Sequence, residues 1–179
     1  LWHELLVSFS TWGNSRGWHG LVGNQENYRQ ICYEELDTLS DAERKQRLIN
    51  VCRAAKIRMP DKKADYLNIN FTKIRAKGGV VALGQSIMAC QSEVEIFKQL
   101  KSFKGIGDKY ARNMMMDLAD PRFTHNIAID HRINKVLEMM GVQGSYEEQE
   151  KYLLDLVSEM NIEGLDGWSL DRLMYWYLD

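Results

Sequence analysis

The segment Leu100-Lys101-Ser102-Phe103-Lys104-Gly105-Ile106-Gly107-Asp108-Lys109-Tyr110-Ala111 interrupts a helical pattern with one tight, glycine-bearing turn. Just upstream, Ser92-Glu93-Val94-Glu95 has the form of a capping box, opening a helix with Val94, Ile96, Phe97 and Leu100 at helical spacing. Just downstream, Asp108 is placed to cap a second helix that buries Ala111, Met114, Met115 and Leu118. The two together make a hairpin of helices over residues 95–119. Glycine has no Cβ, so backbone can approach a ligand closely at Gly105-Ile106-Gly107, and a helix start offers unpaired N–H groups at its positive dipole end. The turn is either a plain connection or an anion site. Lys101, Lys104, Lys109 and Arg112 around it supply charge that suits a phosphate backbone.

Helical signals continue outward in both directions, and alternating β-branched runs between hairpin turns are absent, which makes the chain all-α. Residues 1–10 read as an apolar helix and residues 11–23 as a Gly- and Trp-rich connection. Asn24 caps a helix carrying Tyr28, Ile31, Cys32 and Leu36, and Ser40 caps the next, with Leu48, Ile49, Val51 and Cys52 inward. Pro60 opens a helix through Ala64, Leu67, Phe71 and Ile74 to the Gly78-Gly79 break, followed by an apolar segment at 80–89. Beyond a loop at 120–129 come a helix over about 130–140, one capped by Ser145-x-x-Glu148 reaching Met160, and a last one capped by Ser169.

A chain of 179 residues is long enough for a hydrophobic core, and 45% hydrophobic with 27% charged residues excludes a disordered or collagenous class. No apolar run is long enough for a transmembrane helix, and Leu1-Trp2-His3-Glu4 lacks the basic start of a signal peptide. Cys32, Cys52 and Cys90 form no C-x-x-C pair, which points to reduced, buried, structural thiols in an intracellular setting and away from zinc or iron–sulfur ligation. Net charge is −2, yet residues 53–112 hold thirteen Lys/Arg against five Asp/Glu. A basic centre between acidic ends is an electrostatic footprint for a polyanion, or else a set of solvated helix faces.

The hairpin segment, followed by Ile127-Ala128-Ile129-Asp130-His131-Arg132-Ile133-Asn134-Lys135-Val136, resembles the helix-hairpin-helix (HhH-GPD) DNA glycosylases, the superfamily of endonuclease III and 8-oxoguanine glycosylase. The family pattern is an L-P-G-V-G-x-K-x-A hairpin and then an apolar-apolar-Asp element that opens the next helix. Weaker similarity covers nearly the whole chain. Leu5-Leu6-Val7-Ser8 looks like the early helix, Lys63-Ala64 like the family's Lys-Ala helix, and Asp171-Arg172-Leu173-Met174-Tyr175-Trp176 like its closing helix.

The resemblance implies one glycosylase domain of two interleaved helical lobes with a cleft between them. One lobe covers 24–129 and bears the hairpin; the other joins 1–23 to 130–179. It implies a base-excision-repair enzyme that bends duplex DNA and flips out a damaged or mismatched base. Asp130 matches the essential aspartate that stabilises positive charge developing on the sugar, the alternative being a plain N-cap. Lys109 matches the lysine nucleophile of bifunctional members, which forms a Schiff base and cuts the strand by β-elimination; the alternative is a phosphate contact. Burial, Lys104, Arg112 and the helix start are expected to lower its pKa.

Lys101, Lys104, Gly105, Ile106, Gly107, Arg112 and Arg132 are the expected DNA-binding residues. The favoured substrate is an oxidised purine such as 8-oxoguanine. A monofunctional glycosylase and a non-catalytic DNA-binding hairpin are the alternatives. The implied protein is a monomer that binds double-stranded DNA, has no membrane partner, and is cytoplasmic (nucleoid) if prokaryotic and intracellular in any case. It needs no metal and no iron–sulfur cluster, while an alkali cation at the hairpin is compatible.

The chain departs from the pattern at several points. Lys104 stands in place of the hairpin proline, His131-Arg132 replaces the usual x-His, and the four cluster cysteines are absent. Phe9, Ser10, Thr11 and Trp12 occupy the region of the early glutamine. Trp12, Trp18, Trp168 and Trp176 either line a base pocket, wedge the duplex or fill the core, and His125 with His131 lacks a third metal ligand.

Overall fold

A computed structural model of the chain describes residues 1–11, 15–118 and 120–178. No strand occurs among the described residues, so the fold is all-α, as the periodicity requires. The helices are α1 (Trp2–Ser10), α2 (Arg16–Leu21), α3 (Gln25–Gln30), α4 (Tyr33–Asp37), α5 (Asp41–Ala54), α6 (Pro60–Ala76), α7 (Gly79–Met88), α8 (Glu93–Lys101), α9 (Asp108–Met116), α10 (His131–Met139), α11 (Tyr146–Met160) and α12 (Gly167–Tyr177), with a 3-10 turn at Pro121–Phe123. None is long and apolar enough to cross a membrane.

Several helix starts follow from local chemistry. Ser40 and Ser145 each accept an N–H three residues on, from Glu43 and Glu148, whose side chains bond back to the serine N–H. Asn24 caps α3, but that helix stops early: Ile31 leaves helical geometry and Cys32 is extended, so one expected helix becomes α3 and α4. The connection at 11–23 contains α2. Gly107, not Asp108, is the cap of α9. Asp166, not Ser169, caps α12, and Ser169 answers it as the third residue of the box. Leu118, expected inside, is exposed.

The chain divides into two compact units, Leu1–Gln91 with Ser102–Gly105, and Ser92–Lys101 with Ile106–Asp179. This division differs from the expected one, because residues 1–23 belong with the segment that follows them. Trp2 explains why: its indole N–H donates to the Ile31 carbonyl at 2.8 Å and its ring meets Phe71 of α6 edge-on at 5.7 Å. In this unit α5 and α6 pack together, with buried Arg44 lying 4.4 Å over Phe71 and bonding Asn68 at 2.8 Å. Of the cysteines, all free, only Cys52 is buried; Cys32 and Cys90 are half-buried and donate to the Arg29 and Ser86 carbonyls.

Lys63 ties α6 to α1. Its ammonium is fully buried and donates to the Phe9 carbonyl, in the last turn of α1, at 2.5 Å. Burial pushes its pKa down to about 7, against a smaller opposing effect of neighbouring Cys52, whose own thiol burial pushes up to about 12. In the unfolded chain Lys63 returns to about 10.5, so between pH 7 and 10 the unfolded state binds a proton that the folded state has released. Stability contributed by this site therefore rises with pH across that window. Urea denaturation of the native chain and Lys63→Met should show the native chain gaining on the variant by up to about 1.4 kcal/mol per pH unit from pH 7 to 10. A constant difference would contradict the buried, proton-releasing lysine.

Candidate active site

The second unit is built around one buried segment outside regular secondary structure, residues 127–129. Ile127 and Ile129 alternate inward to join Ile133, Leu137 and Leu153 in a core cluster, which leaves Ala128 facing the other way and delivers Asp130 to the start of α10. A stretch outside helix and sheet has no ladder partners for its N–H groups, and these three are buried residues; beyond a 3.1 Å bond from the Ile129 N–H to the Ile127 carbonyl, they need partners from elsewhere. The partners are side chains. Ile127 N–H donates to Glu150 at 3.0 Å, Ala128 N–H to Asp171 at 2.8 Å, and Ile129 N–H to the Tyr146 hydroxyl at 2.8 Å. The same hydroxyl donates to the Ile127 carbonyl at 2.7 Å. Glu150 is in turn held by Arg112, whose Nε donates to it at 2.6 Å and whose second nitrogen pairs with its other oxygen. The Arg112 guanidinium lies 4.4 Å from the ring centres of both Phe97 and Tyr146.

Asp130 is the N-cap of α10. Its carboxylate accepts the Arg132 N–H at 2.9 Å and the Ile133 N–H at 3.1 Å, and Arg132 Nε donates to it at 3.1 Å. Burial works to raise its pKa, but the Ile133 and Arg132 amides and the charges of Lys109 and Arg132 outweigh burial and hold the carboxyl below its ordinary value. The expectation of an ionised aspartate at a helix start therefore agrees with the geometry.

Lys109 stands in the first turn of α9, half-buried, its Nζ 5.3 Å from the Tyr110 ring. Burial lowers its pKa from the ordinary lysine value; Asp130 and Asp171 oppose that shift and Arg132 adds to it. The charges around it are thus not those expected, since Lys104 and Arg112 are not among them. Lys109 and Asp130 both belong to the second unit.

Other expected residues are placed differently. Arg112 is only 7% exposed and spent on Glu150, Phe97 and Tyr146, so it is a structural residue and not a phosphate contact. Arg132 is half-buried, bonded to Asp130 and to the Leu178 carbonyl at 3.1 Å, which gives it a structural task as well. Ile106 is buried, leaving only its backbone for a ligand. Gly105 has φ +85°, and a Cβ there would lie 2.5 Å from the Tyr66 ring and 2.8 Å from Phe9; the space its missing side chain leaves is filled by the chain's own aromatics. Gly107 faces open space at the start of α9. Lys101 is paired with Asp108 at 2.7 Å, and exposed Lys104 stands 5.7 Å over Tyr66 while its backbone bonds Asn70. Trp18, Trp168 and Trp176 are exposed, the last 74%, so none is a core residue. Trp168 and Trp176 flank an open apolar groove with Ile162, Leu165 and Leu173. Trp12 lies outside the described residues.

No family model matches the chain, and no curated protein or solved structure matches it.

The functional reading accordingly rests on the chain's own residues, and three of these, Tyr146, Glu150 and Asp171, do not stand out from motifs. A signal for them exists nonetheless. Tyr146, Glu150, Leu153 and Val157 recur at spacings of four, three and four, which puts a carboxylate on an apolar helix face, where it requires a partner. Replacing Tyr146 by Phe should cost about 1–3 kcal/mol in urea denaturation, because the Ile127 carbonyl and the Ile129 amide both lose the hydroxyl. A variant as stable as the native chain would show that the hydroxyl does not hold the segment.

Proposed function

We propose that the protein is a base-excision-repair DNA glycosylase with apurinic/apyrimidinic lyase activity, acting on a damaged base in duplex DNA. An oxidised purine, 8-oxoguanine above all, is the proposed substrate, by analogy with lysine-bearing members of the family that lack the cluster. The observation that carries the reading is Asp130 held at the start of α10 by the Arg132 and Ile133 amides, in the same unit as half-buried Lys109 at the start of α9, the two positions at which the sequence resembles the essential aspartate and the nucleophile of that family.

An amine attacks only when deprotonated, and burial favours the neutral form of Lys109. Its nitrogen adds to C1′ of the flipped nucleotide, the base leaves with the bonding electron pair, and the adduct opens to a Schiff base. Abstraction of a proton from C2′ then expels the 3′-phosphate by β-elimination. Asp130, held ionised by two amides, lowers the energy of positive charge building at C1′ as the bond to the base stretches. In the second unit the start of α9 beside Gly107 suits contact with a phosphate, and in the first unit the exposed cations Lys56, Arg58, Lys62 and Lys104 do so independently.

Borohydride trapping on duplexes carrying 8-oxoguanine, oxidised pyrimidines or an abasic site tests this. The native protein should give a covalent adduct, Lys109→Ala none, and Asp130→Asn base release reduced by about 100-fold or more. No adduct with base release intact would leave a monofunctional enzyme; neither adduct nor base release on any duplex would sink the enzymatic reading.

A further inference from the structure

The C-terminal part of the second unit combines exposed aromatic surface with uncompensated negative charge. Trp168, Leu173 and Trp176 of α12 are exposed, and with Ile162 and Leu165 they line an open groove of about 370 Å³. Apolar surface gathered in one place, unlike apolar residues scattered singly, marks an interaction site. The groove also has the length of a short helix. Trp168, Arg172 and Trp176 follow one another four residues apart, so the two indoles stand on one side of α12 about 12 Å apart along its axis. An amphipathic helix presents its i, i+4 and i+7 side chains over about 10 Å.

The charge around this groove is negative. From Glu138 to Asp179 the sequence has ten Asp/Glu against two Lys/Arg. Both cations are already engaged, Lys151 by Asp155 at 2.5 Å and Arg172 by Asp117 at 2.9 Å. Glu163 lines the groove and Glu159 lies just before it in the chain; both are exposed and neither has a cationic partner among the described residues. The helix α11 ends at Met160 with no basic residue in its last turn, so the partial negative charge of its final carbonyls adds to that of the carboxylates. Such a surface repels a polyanion and attracts a cationic one.

We infer that the groove docks a basic amphipathic helix of a partner protein. The segment is about two turns long, with apolar anchors seated against Trp168 and Trp176 and Lys or Arg beside them that reach Glu163 and the end of α11. Arg172 stands 5.7 Å over the Trp168 ring, so the chain itself covers part of that indole and Trp176, 74% exposed, offers the freer anchor surface. The inference is independent of the glycosylase reading. It gives Trp168 and Trp176 to a protein partner and not to a base pocket or a duplex wedge.

Three labelled synthetic peptides of equal length, titrated against the full chain, test this. The first carries Leu at i, i+4 and i+7 with Lys at flanking positions, the second has the same composition in scrambled order, and the third has Glu in place of every Lys. Fluorescence anisotropy gives the affinities, and the indole N–H signals in NMR spectra report where each peptide binds. The first peptide should bind at least about 10-fold more tightly than the other two. It should shift the Trp168 and Trp176 signals and leave that of Trp2, which is buried and bonded to the Ile31 carbonyl, in place. Trp176→Ala should weaken its binding by about 10-fold or more, and Glu163→Lys by about 3-fold or more, the latter loss shrinking at high salt.

Equal affinity for the scrambled peptide would reduce the attraction to charge alone, equal affinity for the acidic peptide would remove the complementarity, and either result overturns the proposal. No binding of any peptide, or unaltered affinity in Trp176→Ala, does the same. Duplex DNA that shifts the Trp168 and Trp176 signals would assign the groove to nucleic acid. A dimer in sedimentation that Trp176→Ala abolishes would assign it to a second copy of the chain; both outcomes overturn the protein-partner inference. Should Trp176→Ala fail to fold, Leu173→Ser on the same groove carries the same expectation.

Discussion

Three consecutive amides, those of Ile127, Ala128 and Ile129, constrain the second unit more than any other feature. They belong to a buried segment outside helix and sheet, in which the Ile129 N–H also reaches the Ile127 carbonyl at 3.1 Å, and unpaired they would cost about 1–3 kcal/mol each. The chain answers with a glutamate, an aspartate and a tyrosine from α11 and α12. Each of these polar groups creates a further demand. Glu150 needs Arg112, and Arg112 is covered by Phe97 and Tyr146, so α8, α9 and α11 are drawn into the same network. A buried ion pair of this kind adds little net stability by itself, but losing one partner is expensive, which makes the arrangement specific.

The consequence for chemistry is a carboxylate fixed in place. Asp130 follows the clamped segment directly, and its own hydrogen bonds to Arg132 and Ile133 hold it at the helix start. Positioning and electrostatics are thereby built from the backbone outward, the way a charge-stabilising group must be presented if it is not to reorganise during reaction. Lys109, half-buried at the start of α9, belongs to the same unit. The proposed reading as a glycosylase depends on Lys109 and Asp130, and its substrate depends on analogy.

Much of this was legible in the residues. Helical periodicity gave the class, and the serine boxes at Ser40 and Ser145 stand where capping chemistry puts them. What escaped had physical causes. Nothing local signals that Ile31 leaves the helix, so α3 and α4 read as one. Arg112 reads as a DNA contact because its partner lies thirty-eight residues away in sequence, and separation hides a buried pair. Gly105 reads as a place for a ligand because Tyr66 and Phe9, which fill the gap, come from distant helices. Local rules singled out Lys109 and Asp130, while tertiary pairing determined which charges are available to a partner.

Amide hydrogen exchange read residue by residue tests the clamp most directly. The Ile127, Ala128 and Ile129 amides, although in a segment without regular secondary structure, should be protected to the level of core helix amides such as those of Ile133 and Leu137, with protection at Ala128 falling in Asp171→Ala. Exchange of all three as fast as that of exposed loop amides would contradict the account, because Asp130 would then hang from a mobile segment.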